Sequence, residues 1–227
     1  MSRRLARSGM LVAAGLAASV AMFAGCRQIL SIEEREFDPT LADAGSDAPE
    51  PLSCEAYCLL IAEVCTGANV QFSSDAACLG LCSTFPVGTL DDTGGNTLGC
   101  RIHLLETSKA MIESAECAAA GPGGNGTCGT NCESYCASME TVCPGSFDTP
   151  ADCLAECEPL PDCAPYAVPE ITPDNPSKEC RLYHMSVAAS NILGADPGTL
   201  TPSQQKHCPH ATGETECIPD SGNPCPE

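Results

Sequence analysis

One cysteine frame, present twice, constrains this chain more than any other feature. Cys54-Glu-Ala-Tyr-Cys58 is followed by Cys65, and Cys132-Glu-Ser-Tyr-Cys136 by Cys143, so both read C-E-x-Y-C-x6-C. The first copy continues with Cys78, Cys82, Cys100, Cys117 and Cys128, and the second with Cys153, Cys157, Cys180, Cys208 and Cys217. Other residues repeat with them. Phe72 and Phe147 each stand six positions before the fourth cysteine, Leu79 and Leu154 follow it, and Arg101 and Arg181 follow the sixth. Agreement of this length marks an internal duplication.

With 19 cysteines in 227 residues, no Trp and only 4% aromatic residues, the chain cannot rest on a large aromatic core. Disulfides formed in an oxidising compartment must supply much of its stability. The expected fold is mainly α, small and disulfide-rich. It has two tandem repeats, each a disulfide-stapled helical hairpin with a third helix and long loops. The expected segments are a signal peptide (1–25), an acidic tether (26–53), repeat 1 (54–130) and repeat 2 (131–227).

The local signals explain the hairpin. Cys54, Cys58 and Cys65 stand at i, i+4 and i+11, on one side of a helix. Ser53 and Asn131 occupy the expected N-cap positions, and Ser74 and Thr149 open a second helix, with Pro150 at its first helical position. Antiparallel neighbours keep a constant sum of residue numbers. Cys54–Cys82 and Cys58–Cys78 both sum to 136, and Cys132–Cys157 and Cys136–Cys153 both sum to 289. The alternative, Cys58–Cys82 with Cys65–Cys78, gives sums that differ by three. Cys163 and Cys225 occur only in the second copy and are natural partners. For the other four cysteines of each copy three connectivities are open; the expected set is Cys65–Cys100, Cys117–Cys128, Cys143–Cys180 and Cys208–Cys217. Each bridge stabilises by roughly 2–4 kcal/mol. A third helix is expected over 98–114 and its counterpart over 178–192, followed by a Gly-rich turn at 121–126 in the first copy.

The N-terminus carries an address. Arg3, Arg4 and Arg7 precede an apolar run from Met10 to Phe23, which is short for a membrane span. The run ends Phe23-Ala24-Gly25-Cys26, which resembles the lipobox of bacterial lipoproteins. The resemblance implies cleavage before Cys26 and its acylation. Cys26 set aside, 18 cysteines remain, an even number. Arg27 follows it, which by the enterobacterial sorting rule implies an outer-membrane destination. Residues 27–53 are rich in acids, Pro and Ala and read as a disordered tether, with a short helix allowed at 29–37. The stapled hairpin resembles, in architecture alone, those of small secreted plant peptides. The eight-cysteine repeat with its Cys-Arg-x-x-His or Cys-Arg-x-Tyr-His segment resembles uncharacterised Cys-rich tandem-repeat lipoproteins of myxobacteria, a resemblance that implies no activity.

Formal net charge is −20. Removing residues 1–25 leaves 7 basic and 30 acidic residues, a net of −23. Such a surface repels nucleic acid and anionic lipid faces. No catalytic constellation is found: C-x-x-C, C-x-x-C-H, G-x-S-x-G and phosphate-loop patterns are all missing. Asp91-Asp92 and Asp174-Asn175 lack EF-hand spacing. Arg101 and Arg181 are expected to anchor the third helix of each copy by an ion pair. No cofactor is implied. The expected function is a non-enzymatic envelope lipoprotein, anchored to the membrane by its acyl group, that binds a protein partner or acts structurally. The alternative is a periplasmic copper- or zinc-binding or redox-carrier protein using His184, His207 and His210. The plainer expectation for those histidines is an exposed position beside a disulfide. Copy one offers only His103, one position off the place of His184.

Overall fold

The structure is a computed structural model, and it describes residues 51–109, 112–163, 165–171, 176–217 and 225. Cys26, the signal segment, nearly all of the tether and Asp174-Asn175 lie outside the described residues. The described part contains eight α-helices and no strands. Copy one holds α1 (Cys54–Val64), α2 (Asp75–Cys82), α3 (Leu98–Ser108) and α4 (Ser114–Ala120). Copy two holds α5 (Asn131–Val142), α6 (Pro150–Cys157), α7 (Lys178–Ala188) and α8 (Pro202–Ala211).

Short hydroxyl side chains begin most of these helices, because their oxygens accept from otherwise unpaired N–H groups of the first turn. Ser53 caps α1, Ser74 caps α2, Thr97 caps α3, Thr149 caps α6 with Pro150 behind it, and Ser177 caps α7. The cap of α5 is Thr130, not Asn131. Thr130 accepts from Glu133 N at 3.1 Å while Glu133 Oε2 accepts from Thr130 N at 2.8 Å, a reciprocal pair that outcompetes the neighbouring amide. Asn131 instead donates to Asp162 Oδ1 at 2.7 Å.

The hairpin staples follow the position sums: Cys54–Cys82 and Cys58–Cys78 join α1 to α2, and Cys132–Cys157 and Cys136–Cys153 join α5 to α6. Cys163 pairs with Cys225. The other four bridges differ from expectation. Cys65 bonds Cys117, not Cys100, and Cys100 bonds Cys128, which therefore does not pair with Cys117. Likewise Cys143 bonds Cys208, not Cys180, and Cys180 bonds Cys217, which leaves no Cys208–Cys217 bridge. The reason is a fourth helix in each copy. The expected third helices stop early, at Ser108 and Ala188. The chain then turns and lays down α4 or α8, which carries Cys117 or Cys208 beside Cys65 or Cys143 at the end of the first helix. Both copies thus share one connectivity: first to fifth, second to fourth, third to seventh, sixth to eighth.

Tyr57, Ile61, Leu81, Ile102 and Leu105 fill copy one, and Tyr135, Met139, Val142, Leu182 and Met185 fill copy two. These belong to one buried cluster, and the described residues form one compact unit. The seam between copies is close. Gly80 of α2 leaves no room for a Cβ against the carbonyl of Ala189. Across the same seam Thr84 Oγ1 donates to Ser138 Oγ at 2.8 Å, and Val168 N to Val70 O at 2.8 Å. The Gly-rich turn is part of this packing, since Gly123 sits against Asn131 and Leu182 with no space for a side chain.

Among the described residues the expected ion pairs of Arg101 and Arg181 do not form. Arg101, fully buried, donates to Gly121 O (3.1 Å), Thr97 O (3.1 Å), Asn96 Oδ1 (2.9 Å) and Ser134 Oγ (3.2 Å), and its guanidinium lies 3.9 Å from the centre of the Phe85 ring. Arg181 Nη1 donates to Ala211 O at 3.1 Å. Carbonyls at the end of the fourth helix are better partners here than a carboxylate, because they carry partial negative charge without the cost of burying a second ion. Burial pulls the Arg101 pKa down to about 10, so the group stays charged at neutral pH.

Candidate metal centre

Three histidines from two helices of copy two meet at one point. Helix α7 contributes His184, one turn after Cys180. Helix α8 contributes His207 and His210, three residues apart and therefore on the same face. The α7–α8 packing that brings them together is fixed at both ends: Cys208 is tied to Cys143, and Cys180 to Cys217. Ring nitrogens of all three lie within 4.8 Å of one another. The His184 and His207 rings stack at 22° with centroids 5.4 Å apart, and His210 stands edge-on to His184 at 4.8 Å. The expectation of exposed histidines fails for His184, whose side chain is only 4% exposed.

A fourth group completes the cluster. Glu216 Oε2 lies 2.9 Å from His184 Nε2 and 3.2 Å from His210 Nδ1. Neither approach has hydrogen-bond alignment, so both buried ring nitrogens are left without a hydrogen-bond partner. Glu216 carries no spacing signal in the sequence. It is one of 30 acidic residues, and only the Cys180–Cys217 bridge beside it brings it to the histidines.

The electrostatics disfavour charge on His184 and His207. Burial pushes the His184 pKa down to about 4, with His210, His207 and Lys206 adding to the effect. Burial also lowers His207, helped by Lys206 and His210 and opposed by Glu216. At neutral pH these two imidazoles therefore offer lone pairs instead of charge. Neutral imidazole with carboxylate is a donor set that suits zinc and copper(II). The Cys180 and Cys217 sulfurs also lie within 4.8 Å of a His184 nitrogen. As disulfide sulfurs they lack the thiolate charge that metal binding needs.

Copy one is an internal control. Counted from the matching cysteines, the places of His184, His207, His210 and Glu216 are held by Leu104, Glu116, Ala119 and Thr127. The staples, the Tyr and the Arg are shared, whereas histidine at these places is confined to copy two. Among the described residues His103 joins no such cluster; its Nδ1 lies 2.9 Å from Leu90 O. Asp92 braces the loop before α3, accepting from Thr97 Oγ1 at 2.7 Å and Thr89 Oγ1 at 2.8 Å, hydrogen bonds that hold its carboxyl below the usual range. The copies also differ beside their first helices. A groove of about 330 Å³ lined by Ile61, Val70 and Phe72 in copy one shrinks to about 80 Å³ around Met139 and Phe147 in copy two.

Residues 34–133 match the family model described as the BfoA family C-terminal domain. The matched stretch covers copy one and ends at the start of α5, before any residue of the histidine cluster. No curated protein and no solved structure matches the chain.

Proposed function

We propose that the chain is an exported envelope lipoprotein, without enzymatic activity, whose second repeat binds one transition-metal ion through the His184–His207–His210 cluster. One observation carries the metal reading: two buried ring nitrogens, each without a hydrogen-bond partner, face the same carboxylate oxygen. A metal ion among these atoms would partner both nitrogens and the carboxylate at once, and an unpartnered buried polar group costs about 1–3 kcal/mol. The confinement of these residues to copy two supports the reading, because a purely structural role would be expected in both.

The setting is an oxidising compartment, since nine disulfides persist only there. No helix among the described residues is long and apolar enough to cross a membrane. Attachment to the outer membrane through acylated Cys26 rests on the lipobox-like segment and on Arg27. The resemblance to Cys-rich tandem-repeat lipoproteins of myxobacteria agrees with it. Within this reading the bridges hold the ligands in place, and copy one serves as scaffold or presents its loops to a protein partner.

The test is titration of the full-length, oxidised protein with zinc and with copper(II) against a competing chelator. Binding of one equivalent at micromolar affinity or tighter is expected, and absence of binding by both ions removes the metal reading. Mass spectrometry of the N-terminal peptide checks acylation at Cys26.

A further inference from the structure

Building on that metal reading, we infer that the ligands are His184 Nε2, His210 Nδ1 and Glu216 Oε2, with a coordination position left open, and that His207 orients His184 without touching the ion. The three histidines are the set whose ring nitrogens gather within 4.8 Å of one another. The nitrogens without hydrogen-bond partners and their shared carboxylate point to a different three.

The two ring nitrogens without hydrogen-bond partners are His184 Nε2 and His210 Nδ1. No His207 nitrogen is among these buried atoms, and His207 Nδ1 lies 3.1 Å from His184 Nδ1. The separations to Glu216 Oε2, 2.9 and 3.2 Å, suit neighbouring ligands of one ion. Metal–ligand bonds of about 2.0–2.1 Å give ligand–ligand distances of roughly 2.9–3.4 Å between octahedral and tetrahedral angles.

The two nitrogens of an imidazole point away from each other. An ion on His184 Nε2 therefore leaves Nδ1 on the far side of the ring, where His207 waits. At 3.1 Å the Nδ1···Nδ1 contact is a hydrogen bond, so one of the two nitrogens carries the proton. With the proton on His184 Nδ1, donated to the His207 Nδ1 lone pair, the Nε2 lone pair is free for the ion. A second-layer hydrogen bond of this kind fixes the tautomer and the ring orientation of a ligating histidine.

Two histidines and one carboxylate are the ligand set of zinc and iron sites that retain exchangeable positions. Exposure shows where the opening lies. The side chains of His184 and His210 are 4% and 15% exposed, whereas Glu216 is 33% exposed. Water holds the open position and exchanges for a small anion arriving along the Glu216 edge. The bound ion is thus able to take up an outside ligand in addition to bracing the fold.

The experiment uses the full-length oxidised protein loaded with zinc or cobalt(II), each variant being checked for intact disulfides and helical content. Glu216→Gln and His210→Ala are expected to weaken zinc binding more than His207→Ala, whose loss should stay within the roughly 10–100-fold range of an orienting partner. Azide added to the cobalt(II) form is expected to shift its visible spectrum. Glu216 is partly exposed, so Glu216→Gln keeps the test readable even if a buried histidine variant fails to fold. Wild-type affinity in Glu216→Gln, with His207→Ala as damaging as His210→Ala, would establish a three-imidazole site and overturn this inference while leaving the metal reading intact. An azide-insensitive spectrum overturns the open position. No binding of zinc, copper(II) or cobalt(II) by the wild-type chain overturns both.

Discussion

The Tyr57 hydroxyl donates to the carbonyl of Ala120 at 2.6 Å. Tyr135 does the same to Ala211 at 2.8 Å in the second copy. Ala120 and Ala211 each lie three residues after the seventh cysteine of their frame and each ends the fourth helix. The tyrosine of the C-E-x-Y-C motif therefore serves an orphan carbonyl at a helix end, which is the end least able to find a partner once buried. The repeated arginine grips the same helix end, through Gly121 O in one copy and Ala211 O in the other. Tyrosine and the third-to-seventh disulfide pin the fourth helix to the first, and the arginine pins it to the third.

Tyr57→Phe tests this clamp. The ring and its edge contacts with Phe72 and Phe85 remain, while the Ala120 carbonyl loses its buried donor. The expected cost is about 1–3 kcal/mol, read as a lower denaturant midpoint with unchanged slope. Tyr135→Phe should behave alike. A neutral result in both would mean that water reaches these carbonyls.

Disulfide mapping of the mature protein separates the two candidate connectivities. Peptides linking Cys65 to Cys117 and Cys143 to Cys208 are expected, and peptides linking Cys65 to Cys100 are not. Strong reductant should abolish the helical signal, because closing loops of 52 and 65 residues by itself contributes roughly 4 kcal/mol per bridge. A protein that stays helical after full reduction would show that the apolar core suffices.

The hairpins were legible in the sequence because antiparallel pairing imposes a constant sum, and four cysteines per copy obey it. The remaining bridges were not, because α4 and α8 announce themselves weakly. Helix α4 is seven residues of mostly alanine, and α8 contains Pro209 in its last turn, a residue that ordinarily argues against a helix. His207 and His210 drew attention by proximity, and His184 by its place after the sixth cysteine. Their convergence depends on the fourth helix, and Glu216 on the Cys180–Cys217 bridge, so neither was available from spacing. Arg101 and Arg181 stood out as equivalent positions, but carbonyl partners leave no trace in a sequence.

Gly80→Ala probes the seam between the copies. Its Cβ would collide with the backbone carbonyl of Ala189, which no side-chain rotation can relieve. The collision should outweigh the modest gain in helix propensity, at about 1–3 kcal/mol net destabilisation. Unfolding should remain a single transition if the copies melt together. Two resolved transitions in the variant would instead mark the repeats as independently stable.

Glu179 yields the pH prediction. It is buried on α7, accepts from Cys163 N at 3.3 Å through Oε2, and leaves Oε1 without a hydrogen-bond partner. Burial raises its pKa above the ordinary value of 4.5, and the nearby Asp162 charge adds to the rise. The folded state therefore holds this proton more tightly than the unfolded state does. As pH climbs from the ordinary carboxyl range through the raised value, the folded protein binds more protons than the unfolded one, and stability falls across that window. Above it the cost of a buried charge remains in full. Glu179→Gln removes the charge, keeps an acceptor for Cys163 and adds a donor facing Asp162. Melting curves of wild type and variant should coincide near pH 4, with the variant gaining an advantage that grows towards pH 7. A variant that melts lower than wild type at pH 7 would mean that the carboxylate is stabilised by its hydrogen bonds more than burial opposes it.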